Sequence, residues 1–293
     1  MKVKSVIALI IFLLATPLTT AQAVNSVEWN SQTKITGVVT IPADTVVNVA
    51  PGTKITVDDG AKIIILGQLL APKGLTLIGN DWQGLVINGS AMLTDFIEKG
   101  ATQSFHVATG GSLEINGGDI SGIKGESLVD GTFKAKNIKY VKGPGNGLTS
   151  SQDSGSVTVD GGKFSGTARG AGDFFSFSAG QSLTVTNSSI TKVHCAFHIT
   201  GIKNMRLDNV LIENNAYGFM MYGSSSAGVR TIKNTTITNN DFGFDEGGSF
   251  TRNGLITISN SYIKKNKTDL GLVTQKVTIL SPASKPLKSN PKI

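Results

Sequence analysis

Cysteine, proline and arginine are all scarce in this chain of 293 residues, and each scarcity excludes something. The one cysteine, Cys195, rules out an internal disulfide framework, so stability has to come from packing and hydrogen bonds. Eight prolines beside 35 glycines, with long helical patterns missing, point to strands and turns. Only Arg169, Arg206, Arg230 and Arg252 contribute guanidinium groups to the 27 basic residues. The formal charge of +7 is therefore a diffuse lysine charge, with few of the bidentate forks that recognise phosphates and bases. Clustered arginines with interleaved aromatics, the mark of a nucleic-acid binder, are absent. So are a phosphate-cradling loop, a dinucleotide fingerprint and a serine nucleophile elbow.

The one strongly apolar run, Val6 to Leu14, is too short to span a bilayer. It follows Lys2 and Lys4 and precedes the small-residue site Ala21-Gln22-Ala23, the arrangement of a cleaved signal peptide. Residues 1–23 are therefore expected to be a leader, with the mature chain secreted to the periplasm or to the extracellular or cell surface. No later segment is apolar enough to be a membrane-spanning helix.

What the mature chain has in abundance is repetition. LEINGGDI (113–120), FKAKNIKY (133–140), VTVDGGKF (157–164), LTVTNSSI (183–190), MRLDNVLI (205–212), RTIKNTTI (230–237) and ITISNSYI (256–263) share one pattern. Each reads apolar-x-apolar-x-Asn/Gly-x-x-apolar, with Arg230 the main exception. The last apolar positions, from Ile120 to Ile263, are spaced 20, 24, 26, 22, 25 and 26 residues apart. Alternating apolar residues recurring at that period predict one turn of a stacked-strand solenoid per repeat. The turn column, Gly117, Asn137, Gly161, Asn187, Asn209, Asn234 and Asn260, holds the two residue types that best tolerate a left-handed backbone. Seven residues after each anchor stand Phe197, Phe219, Phe244 and Leu270, expected to form a buried stack. The fold class predicted is all-β, a right-handed single-stranded parallel β-helix with coils of about 20–26 residues. It is expected over 35–280, behind an N-terminal cap at 24–34 and before a disordered basic tail at 281–293.

These coils resemble the parallel β-helix repeats of the pectate-lyase-like superfamily, most of all in NVLIENNAYGFMM and NTTITNNDFGFDE. The stretch from Pro51-Gly52-Thr53 through Gly67-Gln68-Leu69 to Trp82-Gln83-Gly84 is similar to the openings of many bacterial extracellular β-helix proteins. The resemblance specifies a fold that carries lyases, hydrolases, epimerases and adhesins alike. It also directs the search for chemistry to polysaccharides. A lyase of that kind needs a base and a cation or Ca²⁺ against the uronic carboxylate, and a hydrolase needs clustered carboxylates.

Acidic candidates are few. In the outward column just before the turn, Lys136 should fall beside Asp160, and Asp208 beside Lys233, as a solvated ladder of opposite charges. Asp241, Asp245 and Glu246 are harder to assign to a ladder. Asp245 and Glu246, with Arg252, are the candidate catalytic residues if the protein is an enzyme. The HCxxH segment invites a metal, but Cys195 aligns with Tyr217 and Phe242 at positions expected to pack inward. His194 and His198 should then point out separately, and no second Cys/His cluster completes a four-ligand site, so no metal site is expected. The thiol, buried without a cationic neighbour, is not expected to act as a nucleophile.

The insertions 142–156, 166–182, 222–228 and 245–254 should emerge along one edge of the solenoid, where repeat proteins place binding faces. There Lys142, Arg169, Phe174, Phe175, Lys203, Tyr222 and Phe250 are the candidate glycan contacts, unless the phenylalanines fold back over the core. The sequence thus points first to a non-catalytic secreted or cell-surface β-helix that binds extracellular, possibly anionic, polysaccharide or serves a structural or adhesive role. The alternative is a polysaccharide lyase or glycoside hydrolase. No cofactor is expected, with Ca²⁺ called for only in the lyase case, and neither nucleic acid nor a membrane span is expected as a partner. Oligomeric state is not encoded in any pattern found.

Overall fold

The computed structural model describes residues 24–221, 228–246, 255–273 and 277–286. The expected leader, Tyr222, Phe250, Arg252 and the end of the tail lie outside the described residues. Among these there is no helix long and apolar enough to cross a membrane. Every strand pairing is parallel, and the strands form two sheets, one of 17 strands and one of 11. The chain alternates between them, so each coil crosses the long sheet and then the short one. Along the long sheet the coil length varies as the sequence predicts, from 20 residues at Leu113↔Phe133 to 26 at Val157↔Leu183, and it reaches 27 at Leu148↔Phe175 in the short sheet.

The predicted columns are the observed register. Ile120, Tyr140, Phe164, Ile190, Ile212, Ile237 and Ile263 stand on successive coils. All but Ile263 are buried, because alternate residues of a strand share a face and this face looks into the coil. The seven turn positions all have positive φ, from 44° at Asn260 to 78° at Gly161. Four hydrogen bonds run along the asparagines of this column. Asn209 donates to Asn187 and Asn260 to Asn234, while Asn187 and Asn234 reach Asp160 and Asp208.

A second asparagine ladder, not expected from sequence, lies inside. Asn215 Nδ2 donates to Asn240 Oδ1 at 3.1 Å, and Asn240 Nδ2 to Asn266 Oδ1 at 2.9 Å. Each side chain also satisfies backbone groups at the corner where the chain leaves the long sheet.

The phenylalanine stack is present and begins one coil earlier than predicted. Phe175–Phe197 and Phe197–Phe219 are stacked at 4.9 and 4.8 Å, and Phe219–Phe244 is tilted at 5.6 Å. Leu270, expected in the same buried stack, is exposed on the last coil of the short sheet. Arg230 keeps its inward position between Met205 and Ile256, and its Nη2 donates to the Ile202 carbonyl at 2.6 Å.

Candidate functional site

The insertions do not share one edge. Residues 143–147 and 166–174 precede strands of the short sheet, whereas 151–155 and 178–179 follow them. They flank the short sheet on both sides, because chain length was added at either corner of the coil.

This placement removes three of the expected glycan contacts from the surface. Phe174 and Phe175 are fully buried. Phe174 packs on Phe164 at 4.6 Å and edge-on to Tyr140 at 5.4 Å, so the insertion folds its aromatic residues back into the coil. Lys142 is buried too, and its Nζ donates to the carbonyls of Gly143, Gly145 and Ala171, tying the two loops together. Burial pushes its pKa down to about 8, against the pull of nearby Asp173. Arg169 and Lys203 do stand at the surface, each in an ion pair, with Asp241 at 2.7 Å and Asp153 at 3.6 Å. The second partner of Asp241 is Lys267 at 2.7 Å, and this neighbour keeps the carboxyl below its ordinary range.

Asp245 and Glu246 are neighbours in sequence that face opposite ways. Strand alternation turns Asp245 outward, where its Oδ1 accepts from the Leu272 amide at 3.0 Å, and turns Glu246 inward, where it is buried.

Among the described residues, a dense constellation centres on Asp173, a residue the sequence did not single out. Its Oδ1 lies 3.0 Å from His194 Nδ1 and accepts from the Cys195 amide at 3.1 Å. Its Oδ2 lies 2.7 Å from His198 Nδ1. Cys195 Sγ lies 3.2 Å from His194 Nδ1 and 3.9 Å from Met220 Sδ. The two histidines, expected to point out separately, therefore converge on one carboxylate. The reason is the coil corner. Ala196, Gly218 and Gly243 are buried, while Tyr217 and Phe242, in register with Cys195, are half-exposed. Period-two alternation does not extend across the corner, so this column faces out and not in. Tyr217 and Phe242 stack at 4.8 Å, with His194 edge-on to Tyr217 at 5.3 Å. Cys195 is buried at the same column because the 166–173 insertion covers it.

Burial would raise the Asp173 carboxyl, but hydrogen bonds from His198, His194 and Cys195 outweigh it and hold the pKa at about 2. Burial, then the Asp173 charge, pushes the Cys195 thiol well up. A hydrolytic triad would place the imidazole between thiol and carboxylate through its two ring nitrogens. Here both meet the same Nδ1 of His194. The geometry is that of convergent donors, not of a proton relay.

The long sheet offers a different surface. On seven consecutive coils one outward column reads Lys134, Thr158, Thr184, Arg206, Thr231, Thr257 and Thr278. In the column two residues on, Lys136 pairs with Asp160 in register, and Asp208 with Lys233, as predicted. Asp208 lies 3.1 Å from both Arg206 and Lys233. Two shallow depressions open on this face. One of about 240 Å³ is lined by Glu114, Lys134, Lys136, Thr158 and Asp160. The other, of about 210 Å³, is lined by Ser182, Thr184, Asn204, Arg206 and Thr231 among others.

A family model described as "Right handed beta helix region" matches residues 122–281. No curated protein matches the chain. Among solved structures, the A-module of the mannuronan C-5 epimerase AlgE6 of Azotobacter vinelandii is similar over 89% of this chain and 91% of that chain. The TM-score is 0.47 and the identity 12%.

Proposed function

The chain belongs to the right handed beta helix family, and from that premise we propose that it is a secreted, non-catalytic protein that binds an extended anionic polysaccharide along the outer face of its long sheet. The reading rests on one observation: from Lys134 to Thr278, one coil beyond Glu114 in the same register, the outward column presents hydroxyl or cationic groups on seven successive coils. A row of donors repeating at the strand spacing of about 4.8 Å suits a linear repeating ligand better than a compact one. The neighbouring carboxylates Asp160 and Asp208 are already engaged, by Thr186 and Asn187 and by Arg206 and Lys233. The signal-peptide pattern expected in residues 1–23 supports the location. The opposed faces of Asp245 and Glu246 weigh against hydrolysis by that pair.

The test is retention on immobilised acidic polysaccharides alongside a depolymerisation screen with and without Ca²⁺. Retention that weakens with salt, and no released product, are expected. Replacing Lys134 and Arg206 together by Glu should weaken retention about tenfold or more, equivalent to roughly 1.4 kcal/mol. Product on any substrate would make the protein an enzyme, and absence of retention on every glycan would end the polysaccharide reading.

A further inference from the structure

We propose that Asp173, Cys195 and His198 form a three-ligand site, open at its fourth position, for a thiophilic transition-metal ion of the Zn²⁺ class, with His194 hydrogen-bonded to the liganding carboxylate. The site lies on the outer face of the short sheet, away from the polysaccharide strip, and does not depend on that reading.

Three donor atoms of suitable chemistry converge there: one carboxylate oxygen, one imidazole nitrogen and one sulfur. Asp173 Oδ2 and His198 Nδ1 are 2.7 Å apart, and the donors of Asp173, Cys195 and His198 all lie within 4.8 Å of one another, while His194 Nδ1 flanks the group at 3.0 Å from Asp173 Oδ1 and 3.2 Å from Cys195 Sγ. Tetrahedral zinc with bonds of about 2.0–2.3 Å sets neighbouring donors about 3.3–3.8 Å apart. The closest pair needs to spread by about half an ångström to receive the ion. Sulfur and imidazole donors exclude Ca²⁺ and Mg²⁺ as the preferred ion.

The donors are held by structure on all sides. Asp173 is fixed by its amide, which donates to Asn146 Oδ1 at 2.9 Å. The His194 amide donates to the Gly172 carbonyl, and the Phe174 amide to the Cys195 carbonyl, both at 2.8 Å. These bonds lock the insertion to the next coil, with the ligands on either side of the join. Buried Lys142 tethers the same insertion through the Ala171 carbonyl. His194 and His198 are partly exposed, at 39% and 29% of their side chains, and leave an entry path from solvent. Met220 Sδ, 3.9 Å from the thiol, encloses the sulfur in a soft environment.

The experiment is titration of the purified, reduced protein with Co²⁺, followed by absorbance. One equivalent should produce a thiolate-to-cobalt charge-transfer band in the near ultraviolet and the visible bands of four-coordinate cobalt. One equivalent of Zn²⁺ should erase both. Cys195→Ser should lose the charge-transfer band while its circular dichroism stays that of the parent. His198→Ala should weaken Zn²⁺ in chelator competition about 100-fold, the upper end of what loss of even an outer-shell partner costs. His106→Ala, remote on the same sheet, should change nothing. Absence of bands in the folded parent, or bands that persist in Cys195→Ser, would overturn the assignment. A thiolate-to-copper band without a cobalt one would overturn the zinc class in favour of copper.

Discussion

Glu98 stands in an interior column between Leu77 and Ile120, where every other coil places an apolar or aromatic side chain. It is fully buried. Its Oε2 accepts from Ser104, and no hydrogen bond reaches Oε1. Burial pushes its pKa up to about 8, with the Ser104 bond countering, so the acid is neutral in the folded protein at pH 7. The unfolded chain releases that proton from about pH 4.5 upward, and the folded chain holds it to about pH 8. Between those values the folded state binds more protons, so stability falls as pH rises. The penalty is absent below the lower value and complete above the upper one. It amounts to a few kcal/mol. Glu98→Gln should therefore flatten chemical-denaturation stability between pH 5 and 9 and exceed the parent at pH 9, roughly by that penalty. A parent profile as flat as that of the variant would contradict the neutral carboxyl. Nothing in the local sequence around Glu98 or Asp173 announced these roles. Glu98 reads as an ordinary position of an alternating strand, and Asp173 meets its histidines only through register with the next coil. Asn209 and its column, by contrast, were legible because a left-handed turn restricts the residue type at the position itself.

Elements were legible where they repeat and illegible where they do not. Alternation and the period of the anchors defined the strands of the long sheet and the register from Ile120 to Ile263. The insertions have no repeat, so composition had to stand in for position. Phe174 and Phe175 then read as surface aromatics, although they complete the core. The corner residues Tyr217 and Phe242 erred in the opposite direction, because alternation was carried across a bend that resets it. The stack from Phe175 to Phe244 is the element whose energy can be checked directly. Phe197 lies between two parallel rings, at 4.9 and 4.8 Å, with no exposure. Phe197→Ala should cost about 3–5 kcal/mol, read as a lowered urea midpoint, because coils above and below cannot collapse into the gap without losing register. Phe197→Leu should cost much less. Equal costs for the two would mean that ring volume is not what fills the coil.

At the scale of the whole molecule, strand pairing among the described residues joins each coil to its neighbours, with only surface contacts such as Arg169–Asp241 and Lys203–Asp153 reaching further, so stability is close to a sum of coil terms and interface terms. That independence let insertions accumulate at both corners of the short sheet without disturbing the long one. The two candidate sites follow the same division, a regular strip on the face that repeats and a single centre where an insertion closes over it. One consequence is mechanical. All ladder hydrogen bonds run along the solenoid axis, so a chain pulled by its two ends is loaded in peeling and not in shear. Under an optical trap it should lengthen in a train of small steps, each near the contour of one coil, about 80 Å for ~24 residues. The step carrying the Asp173 centre should move to higher force when the ion is supplied, making one coil a latch in an otherwise even zipper.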